Sequence, residues 1–218
     1  MKQLKTPIPG LSFITAILVL LASTSSLADT YEVTVTNLTK GLSFTPRLVF
    51  SHTGGQLFNP GAPAIDELIS IAESGNVGPM MTLLASFPQI VIGMELGDGL
   101  IMPGDSQTLT IDADPGNVLT LISMLIPTND AFIALNGVTL PTTGRINYYP
   151  SVYDAGSETN DEICANIPGP ACGGAGDSPD DAGEGYIYTH PGIHGIGDLE
   201  PSEYDWNNPV AIVVIRKL

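Results

Sequence analysis

The stretch VLTLISMLIPTNDAFIALNGVTL, residues 118–140, decides the fold. Val118–Ile126 is a short apolar run ended by Pro127, and Ala131–Val138 is a second run after Thr128, Asn129 and Asp130. Two such runs, each of strand length and parted by turn-forming residues, read as successive β-strands. Asp130 then falls on a loop just beyond a buried strand.

The same texture extends in both directions. Tyr31, Val33 and Val35 alternate with polar neighbours, the pattern of a half-buried first strand. Arg47–Ser51, Gln89–Leu96 and Gln107–Asp112 read as further short strands, and Val210–Arg216 is apolar enough for a buried one. Ala64–Glu73 departs from this, because Ile65, Leu68, Ile69 and Ala72 recur at helical spacing between Pro63 and Gly75. Met80–Ser86 suggests a second helical turn. The expected fold is therefore all-β: an antiparallel β-sandwich with one or two short inserted helices. From Ser157 to Pro209 glycine, proline, aspartate and asparagine crowd together and periodicity fades, as in a long functional or mobile loop region. There is no internal repeat and no linker, so residues 29–218 read as one domain.

The amino end indicates export. Lys2 and Lys5 precede an apolar run from Phe13 to Ala22, and Ser26-Leu27-Ala28 offers small residues for cleavage before Asp29. Residues 1–28 are thus expected to be a signal peptide. The apolar run is too short to cross a bilayer comfortably, and no transmembrane segment is expected after its removal. The product is expected to be secreted, to an extracellular or periplasmic location. About 190 residues remain, enough for one sizeable core. Of the 7 basic residues two leave with the signal, against 23 acidic ones that stay, for a mature charge of about −18. Such a surface repels nucleic acid and anionic lipid, so no nucleic-acid partner is expected. Cys164 and Cys172 are the only 2 cysteines, and a close pair in a Gly/Pro-rich loop of an exported chain reads as a disulfide.

Three blocks, in order, carry a family resemblance. The segment Thr120–Leu140 resembles the central signature of the spondin amino-terminal domain family, a Ser-Met-Leu-hydrophobe-Pro run leading to a loop aspartate and then a strand. Tyr153-Asp154-Ala155-Gly156-Ser157-Glu158 resembles that family's Asp-Ala-Gly-Thr-Asp element. SHTGGQLFNPGAPAIDELISIAESGN, residues 51–76, is similar to its Ser-His opening and its helix ending in Ala-Glu-x-Gly. The chain as a whole resembles a stand-alone, secreted, bacterial form of the domain. The resemblance implies an antiparallel β-sandwich akin to calcium-dependent lipid-binding domains, with calcium held by acidic loop residues at one end. Carried over by position, the implied ligands are Asp130, Asp154 and Glu158. Glu158 stands where the family has aspartate, and Ala131 where animal relatives have tryptophan.

On the residues alone, these three read first as solvated loop carboxylates, with Asp154 capping a turn, and it is the resemblance that makes metal binding the preferred reading. Calcium takes six to eight oxygens at flexible distances, which carboxylates on adjacent loops supply. Asp161 and Glu162 lie close by without a motif to name them. Asp177, Asp180, Asp181 and Glu184 lack the spacing of a calcium repeat and read as surface. His190 and His194 flank Pro191 and Gly192 and cannot share a helix face as in zinc enzymes, so they are expected in a surface loop or packed near the sandwich end, with zinc or copper binding by two of the three histidines the lesser reading. His52 is expected to make a structural hydrogen bond. There is no Gly-x-Ser-x-Gly elbow, no His-Glu-x-x-His, no phosphate loop and no dinucleotide fingerprint. Catalysis is not expected; a hydrolase working through carboxylates is held in reserve. The expected function is a secreted calcium-binding module acting on an extracellular protein or glycan. The alternative is a structural envelope or matrix protein whose calcium only stabilises loops.

Overall fold

The computed structural model describes residues 28–177, 182–207 and 209–218. All of the expected signal peptide but Ala28, together with Asp180 and Asp181, lies outside the described residues. In chain order the strands are β1 (Asp29–Asn37), β2 (Ser43–Phe44), β3 (Leu48–His52), β4 (Val91–Leu96), β5 (Ser106–Ala113), β6 (Val118–Ile126), β7 (Ala131–Thr139), β8 (Arg145–Tyr148), β9 (Ser151–Asp154), β10 (Tyr188–Thr189) and β11 (Ala211–Lys217). The helices are α1 (Asp66–Ser74), α2 (Gly78–Ala85) and the single turn α3 (Pro201–Tyr204), with a 3-10 turn at Cys164–Asn166. All strand pairing is antiparallel, in two sheets of order β5-β1-β11-β8 and β10-β9-β7-β6-β3-β4, with β2 beside β6. This is the sandwich the sequence predicts.

The larger sheet is the middle of three layers. Its β3 residues alternate: Val49 faces the smaller sheet, packing with Val33, Val35, Val213 and Ile215, while Leu48 and Phe50 face Leu68, Ile71, Met80 and Leu84 of α1 and α2. Strand β6 is buried on both faces for the same reason, Leu119, Leu121 and Leu125 on one side and Ile122 on the other. Continuous apolar sequence is what a strand covered on both sides requires. β11 differs from expectation. It lies inside the smaller sheet with Ala211, Val213 and Ile215 buried and Ile212 and Val214 only partly so, because that sheet is covered on one face alone.

α1 also buries a different face from the one its spacing suggests. Leu68, Ile71 and Ala72 point into the core, whereas Ile65 precedes the helix and is exposed. Gly75 ends it in a left-handed conformation at φ 68°, its amide donating to Ile71 O at 2.9 Å. A side chain there is disfavoured by the backbone and would crowd Thr45.

The two sheets are stitched at one side by Ser51. Its hydroxyl donates to Asp112 O on β5 at 2.6 Å and accepts from the Gly93 amide on β4 at 2.9 Å. A Cβ on Gly93 would run into the Asp112 carbonyl oxygen. His52 makes the expected structural bonds, with Nε2 2.9 Å from Thr120 Oγ1 and Nδ1 3.1 Å from Gly54 O. Gly93→Ala should lower unfolding free energy by about 1–3 kcal/mol through overpacking. Ser51→Ala should cost about 1–3 kcal/mol by leaving the Gly93 amide without its partner. Urea unfolding of both variants measures this, and wild-type midpoints in both would show that the stitch contributes nothing.

Candidate functional site

Asp130 is the residue before β7 and Asp154 the last of β9, and these strands are neighbours. Their register sets Ala131 opposite Asp154, and the Ala155 amide carries the pairing one step further by donating to Asp130 O at 3.2 Å. The two carboxylates therefore meet at one end of the large sheet, both fully buried at 0% exposure. Asp154 closes a strand rather than standing in the expected loop. Its Oδ1 accepts from the Gly156 amide at 2.8 Å, and its Oδ2 from Asn160 Nδ2 at 2.6 Å. Gly156 has φ 68°, and a Cβ there would strike the Tyr186 backbone, so this tight turn requires glycine.

The loop from Ala155 to Glu158 wraps Asp130. Asp130 Oδ2 accepts from the Ser157 amide at 2.9 Å, the Ser157 hydroxyl at 3.2 Å and the Glu158 amide at 3.2 Å. Among the described residues Asp130 Oδ1, equally buried, has no amide or hydroxyl donor, and the Asp154 carboxyl lies within reach to share a proton with Asp130. Glu158 joins the site through its backbone; its side chain is buried as well. Thus two of the three expected ligands are brought together as carboxylates, and the third meets them through its amide. Among the described residues, no group of three or more His, Cys, Asp or Glu side chains is assembled as a metal cage.

Several residues that sequence reasoning missed complete the surroundings. Asn160 Nδ2 also lies 3.0 Å from the Tyr188 hydroxyl, and Tyr188 sits opposite Asp154 in the β9–β10 pair. Glu73, buried at the end of α1, lies near Ser157, which lowers its pKa against a larger rise from desolvation. His190 is buried against Trp206, ring centroids 5.1 Å apart, with Nε2 3.8 Å from Asp154 Oδ2. Its Nδ1 accepts from the Gly192 amide at 3.0 Å, which places the ring proton on Nε2. In that tautomer His190 offers a polar N–H toward Asp154. No motif flags Asn160, Tyr188 or His190; they reach the site through the β9–β10 pairing and the loops around it.

Neighbouring acids have other work. Glu162 accepts from the His194 amide at 2.6 Å and the Ile196 amide at 2.9 Å, shaping that loop. Asp161 is held by Asn129 at 3.0 Å, Asn166 at 2.6 Å and the Ile163 amide at 2.9 Å. Cys164 and Cys172 form the expected disulfide, S–S 2.04 Å, which packs against Ile167, Ile193 and Leu199.

The electrostatics follow from burial. Asp130 is pushed above the ordinary carboxylate range by desolvation, only partly offset by the amides of Ser157 and Glu158. Asp154 is pushed up to about 7 by desolvation and then by the charge of Asp130, against the opposing hydrogen bonds from Asn160 and Gly156. Desolvation likewise lowers His190 to about 4, so it stays neutral beside them. Among the described residues no lysine or arginine pairs with either aspartate; the two such ion pairs, Arg216–Glu32 and Lys217–Asp29, lie on the smaller sheet. A buried carboxylate pair without a counter-charge needs a proton or a cation between its members. The donor set is all oxygen and one buried oxygen lacks a partner, which suits a hard cation such as calcium.

No family model matches the chain, and no curated protein matches it; the likeness to the spondin domain rests on the three sequence blocks themselves.

In protein freed of divalent ions, the aspartates and His190 act oppositely on stability. A carboxyl whose folded pKa exceeds its free value near 3.8 holds a proton that the unfolded chain releases, so stability falls as pH rises from about 4 to about 7. His190 has a folded pKa of about 4, below its free value of 6.5, so its contribution is lost as pH falls through that interval. His190→Gln should therefore reveal a decline toward neutral pH, on the order of 1 kcal/mol per pH unit. Asp154→Asn should reveal the reverse slope. Denaturant unfolding across this pH range checks both, and identical profiles for wild type and variants would contradict the arrangement of charges.

Proposed function

We propose that the chain is an exported calcium-binding module of the spondin type, not an enzyme, whose ordered sandwich end engages an extracellular protein or glycan. The observation that supports this most is the fully buried pair of Asp130 and Asp154, with no lysine or arginine partner among the described residues, a neutral His190 beside Asp154, and one carboxylate oxygen lacking an amide or hydroxyl donor. Asp130 and Asp154 would hold the ion, and Glu158, whose amide already binds Asp130, is the third ligand the resemblance implies. Calcium supplies positive charge where two anions meet. The chain's own residues then hold the loops: Ser157 and Gly156 by their amides, Asn160 between Asp154 and Tyr188.

Export is supported by the disulfide and the character of residues 1–28. Among the described residues no helix is long and apolar enough to cross a membrane. A second reading, in which calcium only stiffens an envelope or matrix protein, is favoured by the burial of both aspartates, which keeps the ion away from any partner group. That same burial speaks against a hydrolase, since no substrate reaches these carboxyls. Calcium-dependent retention on cells, matrix or a glycan array separates the two non-enzymatic readings.

Calcium binding only the folded form raises its stability by mass action, about 2.7 kcal/mol at a hundred times the dissociation constant. The melting temperature should therefore climb with calcium and much less with magnesium, which demands a tighter six-oxygen shell. Asp154→Asn or Asp130→Asn should largely abolish the response. A wild-type melting curve indifferent to millimolar calcium, or variants that respond as wild type does, would remove the metal from the account.

A further inference from the structure

A second charged group, on β3 rather than on the β7–β9 pair, is buried with few hydrogen-bond partners. Arg47 enters β3 and is 1% exposed. Its carbonyl accepts from the Gly97 amide at 2.9 Å, and its guanidinium folds back over Gly97, where a Cβ would overlap Nη2. Among the described residues one of the five guanidinium hydrogens has an acceptor, Asp98 O, at a long 3.4 Å from Nη1, and Nε has none. Among the described residues Arg47 forms no ion pair, although the Asp98 carboxylate is near enough to favour its charged state. Desolvation lowers its pKa, which records how poorly the charge is compensated.

This guanidinium forms one wall of a cleft of about 280 Å³ between β4, the edge of the larger sheet, and β5, the edge of the smaller. Gln107, Thr108 and Leu109 of β5 line the opposite wall. Gln107 is tied to Leu100 O at 3.0 Å and Thr108 to Thr34 at 2.8 Å, so neither is turned to Arg47. The volume holds an oxyanion with several waters, each of which takes roughly 30 Å³ in the liquid.

We propose that this cleft is an oxyanion-binding site in which Arg47 is the cation and a carboxylate or sulfate group the ligand. A charged hydrogen bond to a desolvated guanidinium is among the stronger polar contacts, and the ligand supplies what the fold withholds. Bare Gly97 lets the guanidinium lie flat at the cleft wall. The acidity of the rest of the surface does not forbid this, because at physiological salt its field decays over about 8 Å. The same chemistry is carried by a free small anion or by an ester on a glycan, and a test with both distinguishes them.

Titrations of sulfate, acetate and a sulfated disaccharide into the mature protein, followed at the Arg47 Nε–H resonance and the Gly97 and Asp98 amides, test the proposal. Saturable shifts confined to these signals are expected, with midpoints in the range of about 1–100 mM for the free anions. A lower midpoint for the disaccharide assigns the ligand to a glycan; equal midpoints assign it to free anions. Asp98→Asn, a change at an exposed position, should tighten binding about threefold or more by removing a neighbouring negative charge. Arg47→Gln, where it folds, should abolish the shifts. Linear drift of all surface amides alike, no saturation in either wild type or Asp98→Asn, or unchanged binding in Arg47→Gln would overturn the assignment.

Discussion

The pairing of β7 with β9 sets Ala131 against Asp154 and so presses the Asp130 and Asp154 carboxyls together in a region closed to water. Two buried anions at such a place destabilise the fold unless something positive intervenes, and among the described residues the fold supplies amides, the Ser157 and Tyr188 hydroxyls, an asparagine and a neutral histidine, none of them a cation. Those donors occupy Asp130 Oδ2 and both oxygens of Asp154, yet leave Asp130 Oδ1 open. The loops from Ala155 to Asn160 and around Tyr188 and His190 take their shape from this pair. Whatever neutralises the pair therefore controls the order of this end of the sandwich.

That end is rigidly mounted. β7 lies beside β6, which is covered on both faces, by the smaller sheet on one side and by α1 and α2 on the other. Glu73 at the end of α1 lies near Ser157, whose hydroxyl binds Asp130, so the helical layer borders the site. At the opposite margin Ser51 stitches β3 to both edge strands, and Arg47 sits beside that seam. The two uncompensated charges, an acidic pair and a lone guanidinium, thus occupy separate sheet margins and do not neutralise each other.

Long apolar strands were legible from residues alone. Val118–Ile126 shows its bounds because burial on two faces demands unbroken hydrophobicity and Pro127 ends it. β2, β8, β9 and β10 were not legible, since two to four residues carry too little periodicity and are held by their neighbours' registers. β11 misled because Ile212 and Val214 are apolar on a face that is only half-covered. Asp130 and Asp154 were singled out through resemblance, with nothing in their spacing, 24 residues apart in the chain, to bring them together. Asn160 and Tyr188 were missed, and His190 was read only as loop or packing, because their place at the site is a product of tertiary pairing.

The most direct test of the account reads the two carboxyls themselves. Side-chain ¹³C resonances of Asp130 and Asp154, recorded at neutral pH in chelator and then with added calcium, report proton and ion at once. In chelator the pair should hold a shared proton, and calcium should expel it, shifting both carbons to their ionised positions with measurable proton release. Two carboxyls that are already fully ionised in chelator and do not respond to calcium would contradict the claim.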